Sequence, residues 1–455
     1  MAHKEVSAVV TTSKEVATRQ LAKNARIAET YKETRERRRQ QSCRVFELKL
    51  DRSRMNSQQK EALTRVFLEK KWARNAALAS DKPTGYRIGA TVPVLTPWGI
   101  EERELRHLGS QIKQSIVAEI SANIKALAAH KKGGRKVGGL RFSRECNTID
   151  LKQFGTTYRL DVGRKALKIQ KVPGEFRVHG AEQITADMEL ANARLVRRES
   201  GYYLLITTFT DKNLLEDHFT EGSAVGLDMG VATHLTLSNG EKISAMVEVP
   251  KRLKRLQRSL QRKRDAAKAR QQPGQPLPLG SNYFKNRAEL RKEYEKLDRK
   301  KANLANQIVA RITANEHVFY QDEQLSAWKR RWGGKLHHSV LGRIKAKLGR
   351  HERAHMLDKW VPTTQRCPKC NALTKHDLRQ RTYHCAECGY TADRDVNAAN
   401  NMVDLGLSEF NVPVERRELT TVPITEDGYL RRLGCAVTHG ERDTTPLFGG
   451  PSQKQ

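Results

Sequence analysis

Long apolar runs are absent from this chain of 455 residues. No stretch approaches the roughly 18 apolar residues that a membrane-spanning helix needs, so no such span is expected and no membrane partner. The first residues, Met1-Ala2-His3-Lys4-Glu5, hold no apolar stretch ahead of a small-residue cleavage site. That argues against a secretory leader and for a cytoplasmic, nucleoid-associated protein. Aromatic residues are scarce at 6%, and apolar residues reach only 38%, so much of the chain is solvated or held against something polar. Acids are few: 51 Asp and Glu face 84 Lys and Arg, a formal net charge of +33. A surplus of that size repels itself when left alone, and a polyanion, nucleic acid first of all, is its natural partner. Cysteine is sparse too, and Cys43, Cys146 and Cys435 are scattered, which is not the pattern of a disulfide framework. No internal repeat is visible, which excludes a solenoid.

What is there divides the chain. Residues 1–41 are polar and basic, ending in Glu36-Arg37-Arg38-Arg39, and read as a loose or helical arm for nucleic acid. Arg44 to Leu50 alternates with the period of a strand. Asn56, with Gln59 three residues on, starts a helix that buries Leu63, Val66, Phe67 and Ala73. Ile112, Ile116, Ile120, Ile124 and Leu127 mark a second helix, which stops at Gly133-Gly134. Short strands follow at 158–162, 167–169, 176–178 and 201–209, so a small β-barrel interrupted by a helical insertion is expected. Later, Leu253, Leu256 and Leu260 mark one helix, and Leu290, Tyr294, Leu297, Leu304 and Ile308 another. The Pro273-Gly274 linker between them predicts an antiparallel helical hairpin. Residues 251–270 hold ten Lys or Arg and one acid, which suits a helix that tracks phosphates.

Three acidic sites stand out. Ala224 to Val231 reads as a buried strand ending on Asp228, and a carboxylate in an apolar strand is costly unless a cation pairs with it. Val318-Phe319-Tyr320-Gln321 is again a strand running into acids, Asp322 and Glu323, and periodicity leaves open which of the two faces inward. Asp393-Arg394-Asp395-Val396-Asn397 opens a helix, and either aspartate suits the N-cap, freeing the other for chemistry. Carboxylates on a hairpin strand, a later strand and a late helix start are arranged as in RNase H-like nucleases. The residue types suit two Mg²⁺ (or Mn²⁺) ions about 4 Å apart, which need hard oxygen ligands.

The remaining cysteines are paired. Cys367-Pro368-Lys369-Cys370 and Cys385-Ala386-Glu387-Cys388 are two knuckles separated by 14 residues, the spacing of a structural Zn²⁺ ribbon. Such a closed four-thiolate site has no open position for catalysis. Asp395 follows Cys388 by seven residues, so the ribbon sits where it steadies that acid's loop.

Gly226-Leu227-Asp228-Met229-Gly230-Val231 resembles the first RuvC motif. The two knuckles, followed closely by Asp393-Arg394-Asp395-Val396-Asn397-Ala398-Ala399, resemble the C-terminal half of TnpB, the RNA-guided nucleases of insertion sequences and relatives of compact type V CRISPR effectors. The resemblance spans about residues 43–405. It implies a multidomain α+β chain with these parts: a basic arm at 1–41, an oligonucleotide-binding-like wedge β-barrel at 42–52 and 138–218, and a helical recognition lobe at 53–137. An RNase H-like RuvC α/β domain at 219–366 would carry the helical hairpin at about 250–312. A zinc ribbon at 367–390, the end of the RuvC domain at 391–418 and a weakly ordered tail at 419–455 complete it. The implied cofactors and partners are a guide RNA and double-stranded target DNA beside a short adjacent motif, the protein acting as monomer or dimer. Carried across motif by motif, Asp228, Glu323 and Asp395 are the implied catalytic metal ligands. Glu323 is preferred because Glu323-Gln324-Leu325 matches the family's pattern, and Asp395 because Asp395-Val396-Asn397 does. The sequence departs from the family in carrying Gln321-Asp322 ahead of Glu323 and in its long arm. A CRISPR effector and a guide-directed repressor without cleavage are the competing expectations.

Overall fold

The strands expected between 158 and 209 share one sheet with the strand near 45, although some 100 residues that include two long helices lie between them. This emerges from a computed structural model that describes residues 2–214, 219–377 and 380–412. The described chain forms two compact units, one before and one after 215–218. The expected tail at 419–455 lies outside the described residues, as does the end of the preceding segment.

The first unit opens with α1 (Ala2–Arg39), so the arm is helical, and β1 (Gln41–Leu50) follows directly. Then come α2 (Ser57–Ala79), β2 (Thr91–Thr96), β3 (Gly99–Glu104) and α3 (Ser110–Lys132). The chain returns through β4 (Thr148–Leu151), β5 (Tyr158–Asp161), β6 (Ala166–Ile169), β7 (Phe176–His179), β8 (Glu189–Arg198) and β9 (Gly201–Asp211). The sheet runs β4-β8-β9-β1-β7-β6-β5, with β1 antiparallel to both β9 and β7. The expected capping box starts α2: Asn56 accepts from the Gln59 N–H at 2.8 Å, and the Gln59 side chain accepts from the Asn56 N–H at 3.0 Å. Leu63, Val66 and Phe67 of α2, and Ile112, Ile116 and Ile120 of α3, join Leu48, Leu204 and Ile206 in one core. Ile124, one turn further along α3, is exposed: the apolar stripe outruns the surface it packs on. Between the two expected helices the 53–137 stretch also carries the antiparallel β2–β3 hairpin, paired from Thr91↔Glu104 to Thr96↔Gly99.

The second unit begins with β10 (Thr220–Met229), β11 (Leu235–Leu237) and β12 (Lys242–Ile243), then the expected hairpin of α4 (Lys251–Ala269) and α5 (Ser281–Ile312). Next come β13 (Asn315–Gln321), α6 (Leu325–Leu336), α7 (Leu341–Leu348) and β14 (Ala354–Leu357). A small hairpin, β15 (Thr382–His384) and β16 (Thr391–Asp393), runs into α8 (Arg394–Glu409). The main sheet has the order β12-β11-β10-β13-β14: β10, β11 and β12 are antiparallel neighbours, and β13 and β14 are parallel to β10 and β13. Arg252 of α4 meets Glu289 of α5, and Ser259 meets Asn286, which sets the two helices antiparallel. Among the described residues no helix is long and apolar enough to cross a membrane.

Both faces of this sheet are covered, and the period of two assigns each residue to one of them. On β10, Val225, Leu227 and Met229 enter a core with Ile308 and Ile312 of α5 and Leu341, Ile344 and Leu348 of α7. Ala224 joins Met402 and Val403 of α8 on the other face. On β13, Val318 and Tyr320 take the first face and Phe319 the second.

Candidate functional site

Parity places the first acid. Asp228 shares a face of β10 with Ala224 and Gly226, the face that α8 covers. The helix lies almost on the strand: a Cβ added to Gly226 would come 1.8 Å from the Ala399 carbonyl oxygen. One turn from the helix C-terminus, a Cβ on Gly406 would strike the Phe319 ring at 2.1 Å. Two glycines and the fully buried pair Ala398 and Ala399 therefore set the height of α8 above the sheet, and with it the height of its first turn. Gly226→Ala is expected to lift the helix, costing about 1–3 kcal/mol or more in thermal or denaturant melts. Gly342→Ala, on a helix with open space around it, is expected to be neutral or mildly stabilising in the same melts.

The second acid follows the same arithmetic. Glu323 continues the parity of Phe319 and Gln321, on the α8 face, while Asp322 continues that of Val318 and Tyr320. Lys345 of α7, on that opposite face, makes an ion pair with Asp322 and also donates to the Glu323 carbonyl at 2.6 Å. Gln321 is tied down by bonds to the carbonyls of Asp358 at 3.0 Å and Val361 at 2.7 Å, which fixes where the strand ends.

At the third position the two aspartates divide the work. Asp393 is the cap: its carboxylate accepts the N–H groups of Asp395 at 3.0 Å and Val396 at 3.1 Å. Lys242 of β12 holds its other oxygen at 2.8 Å. Although burial opposes ionisation there, the Lys242 hydrogen bond and the amide donors keep the Asp393 carboxyl below the usual range. Asp395 is left outside the cap, with Arg381 at 3.7 Å and Arg394 at 3.5 Å from its oxygens.

Asp228, Glu323 and Asp395 thus line one cleft of about 470 Å³, with Arg381 and Arg394 also in its wall. Burial pushes the Asp228 carboxyl well above the ordinary range, and the charges of Asp395 and Glu323 push it further, with Arg394 opposing. Burial raises Glu323 as well, against the pull of Lys345. Negative charge is concentrated in a poorly solvated place, and its donor set is all carboxylate oxygen. That is the chemistry of a site for hard divalent cations. The arginines went unassigned in the sequence reading, although Arg394 lies inside the motif; no spacing rule marks Arg381.

The four thiols come together more tightly. The Sγ atoms of Cys367, Cys370, Cys385 and Cys388 all lie within 4.8 Å of one another, the one such cluster of metal-ligand atoms among the described residues. Cys367 and Cys388 are 3.6 Å apart, and Cys370 and Cys385 3.5 Å. Four sulfurs at the usual Zn–S length of about 2.3 Å would stand roughly 3.8 Å from each other on a tetrahedron, so the thiols fit Zn²⁺. The knuckle amides of Cys388 and Glu387 draw the Cys385 thiol down to about 6, against burial, whereas burial and the neighbouring thiols raise Cys370 and Cys388.

Helix α8 links this cluster to the acids. Asn401 donates to the carbonyls of Thr363 at 2.8 Å and Arg366 at 2.7 Å, and Asn397 donates to Arg366 at 3.1 Å. The two asparagines, one turn apart and fully buried, hold the chain entering the first knuckle. The sequence reading quoted Asn397 only as part of a motif; its partners are backbone carbonyls, which no side-chain pattern reveals.

Residues 337–402 match a family model described as the Cas12f1-like TNB domain. The chain is 27% identical over 210 residues to a Streptomyces pristinaespiralis protein named as an RNA-guided DNA endonuclease, a match covering 43% of this chain and 49% of that one. It is 23% identical over 325 residues to InsQ of Escherichia coli (strain K12), similarly named, covering 65% of this chain and 76% of InsQ. The chain therefore spans about half the length of the first relative. A cryo-EM structure of a Cas12f1–sgRNA–target DNA complex aligns with a TM-score of 0.36 and 15% identity, covering 64% of this chain and 70% of that one. The family model and the two relatives bear out the resemblance to TnpB-like proteins read from the motifs.

Proposed function

We propose that this protein is an RNA-guided DNA endonuclease, in which Asp228, Glu323 and Asp395 hold the catalytic cations in an RNase H-like, RuvC-type domain. One observation carries the reading: three carboxylates from three separate segments line a single cleft in a chain of net charge +33. A chain so basic meets phosphate almost everywhere with Lys and Arg, and the cleft is where it meets it with acids. The mixed sheet supports the domain assignment, since a three-stranded antiparallel meander followed by two parallel strands puts the end of β10 beside the end of β13 and the start of α8.

Three carboxylates lining one cleft offer the hard oxygen donors that the two cations of this reading require. Mg²⁺ or Mn²⁺, when bound there, supplies an activated water and charge stabilisation for the leaving 3′ oxygen of a phosphodiester. The chain's own contribution is placement. Parity directs Asp228 and Glu323 to one face, the Asp393 cap frees Asp395, and Lys345 diverts Asp322 away from the cleft. Cys367, Cys370, Cys385 and Cys388 would hold a Zn²⁺ ion in a structural role, and the bonds of Asn397 and Asn401 to the carbonyls of Thr363 and Arg366 would pass that rigidity to the helix that carries Asp395.

Guide RNA and target DNA are the partners in this reading. Base pairing selects the sequence, while the protein reads an adjacent duplex motif and the phosphate backbone. The seven-stranded sheet of the first unit serves as the wedge barrel, and the α2–α3 region with its hairpin as the recognition lobe. Arg255, Arg258 and Arg262 on the exposed side of α4 supply backbone contacts. Purified protein is expected to carry a discrete RNA. Sequencing that RNA, and challenging the complex with a plasmid library matched to its 3′ end, tests the reading; an RNA-free preparation would count against it.

A further inference from the structure

The cleft has a wall that the carboxylates do not use. Trp328 and Trp332 of α6, the helix that follows Glu323, line it together with the three acids. The two rings differ in their surroundings. Trp328 packs half-buried against the core beneath the sheet, whereas Trp332 is 41% exposed. Helix α6 also breaks at Trp332, whose backbone leaves helical geometry (φ −126°, ψ 34°). Gly333 and Gly334 follow, with open space on all sides. Between the two tryptophans come Lys329, Arg330 and Arg331, all exposed. An aromatic face beside a short cationic run is the pairing by which proteins hold unpaired strands: bases stack on the ring and phosphates meet the cations.

We propose that Trp332 is a stacking platform that positions an unpaired nucleobase next to the scissile phosphate. A base inside a duplex has both faces covered by its neighbours, and only a strand already separated from its complement offers one to the ring. The inference rests on the nuclease reading of the same cleft, and it names a positioning residue for that reaction. Trp328 serves as the floor of the platform, and its truncation would disturb the core, so Trp332 is the residue to vary.

The test uses a short DNA single strand carrying 2-aminopurine, titrated without added divalent cation so that binding is read without cleavage and the ribbon stays intact. Trp332→Ala is expected to weaken capture about tenfold and to remove the quenching of 2-aminopurine, while Trp332→Phe keeps most of both. The salt dependence of binding is expected to stay unchanged, because the phosphate contacts remain. In cleavage assays, an abasic nucleotide beside the mapped cut is expected to slow the wild type as much as Trp332→Ala does, and the two changes together to do no more. Wild-type affinity and quenching in Trp332→Ala would overturn the proposal, as would a full additive loss in the combination. Normal quenching by a protein that cuts no DNA would instead refute the nuclease reading and leave the platform standing.

Discussion

Asp228→Asn is expected to abolish DNA cleavage, by about 10³-fold or more, and at the same time to raise the melting temperature of the metal-free protein. The first effect follows from removing a cation ligand: metal stabilisation of the transition state is worth several kcal/mol, and each 1.36 kcal/mol is about a factor of ten in rate. The second follows from electrostatics. Burial, then Asp395 and Glu323, hold the Asp228 carboxyl well above its ordinary range. A carboxyl whose folded value is raised works against folding at neutral pH, and the cost is relieved only as the pH falls through that folded value. The neutral amide removes the cost at once, for a gain on the order of 2–4 °C. Adding Mn²⁺ is expected to raise the melting temperature of the wild type but not of the variant, and copurifying RNA is expected to be unchanged. Thermal melts with and without Mn²⁺, run beside a cleavage assay, check all of this. A drop in stability together with lost activity would mean that Asp228 is an ordinary structural residue.

Removing the zinc ligands is the second change with a large effect. Cys385→Ser, or prolonged chelation, is expected to release the ion and unfold the ribbon, whose folding such a site supports by on the order of 10 kcal/mol. The damage reaches further than the ribbon itself. Asn397 and Asn401 bond to carbonyls at 363 and 366, immediately before the first knuckle, so a loosened knuckle loosens the first turns of α8 and displaces Asp395. Cleavage is expected to fall to background and not to return with excess Mg²⁺, while protease becomes able to cut between 363 and 393. Cys43→Ser is the control: that thiol is exposed in the first unit, and zinc content, melting and cleavage are expected to stay as in the wild type. Metal analysis by mass spectrometry, expected to return one zinc per wild-type chain, completes the check.

These two changes fall on the parts of the molecule most legible in the sequence. Two knuckles at ribbon spacing and a lone aspartate in an apolar strand carry their chemistry in residue type and interval. Periodicity left the choice between Asp322 and Glu323 open, so that only the match to the family's pattern favoured Glu323, and the reason is physical. β13 is buried on both faces, so Val318, Phe319 and Tyr320 are all apolar and the alternation that would reveal parity is missing. Only the partners, Lys345 on one side and α8 on the other, separate the two acids. Asp393 and Asp395 were equivalent in sequence because an N-cap is defined by local backbone geometry, which fixes Asp393 as the acceptor.

The β2–β3 hairpin escaped for a related reason. β3 reads Gly99-Ile100-Glu101-Glu102-Arg103-Glu104 and is mostly exposed, so no buried face imposes a period of two. Trp332 gave no signal at all, because the cleft it lines exists only once Glu323 has been placed.

The most direct test of the central claim is linearisation of a supercoiled plasmid carrying a target matched to the copurifying RNA. The wild type with Mg²⁺ is compared with the same protein without added divalent cation and with Asp228→Asn. Cutting by the wild type with Mg²⁺ alone, at a position set by the RNA, is the expected result. Cutting that persists in Asp228→Asn, or that ignores the RNA sequence, would contradict the account.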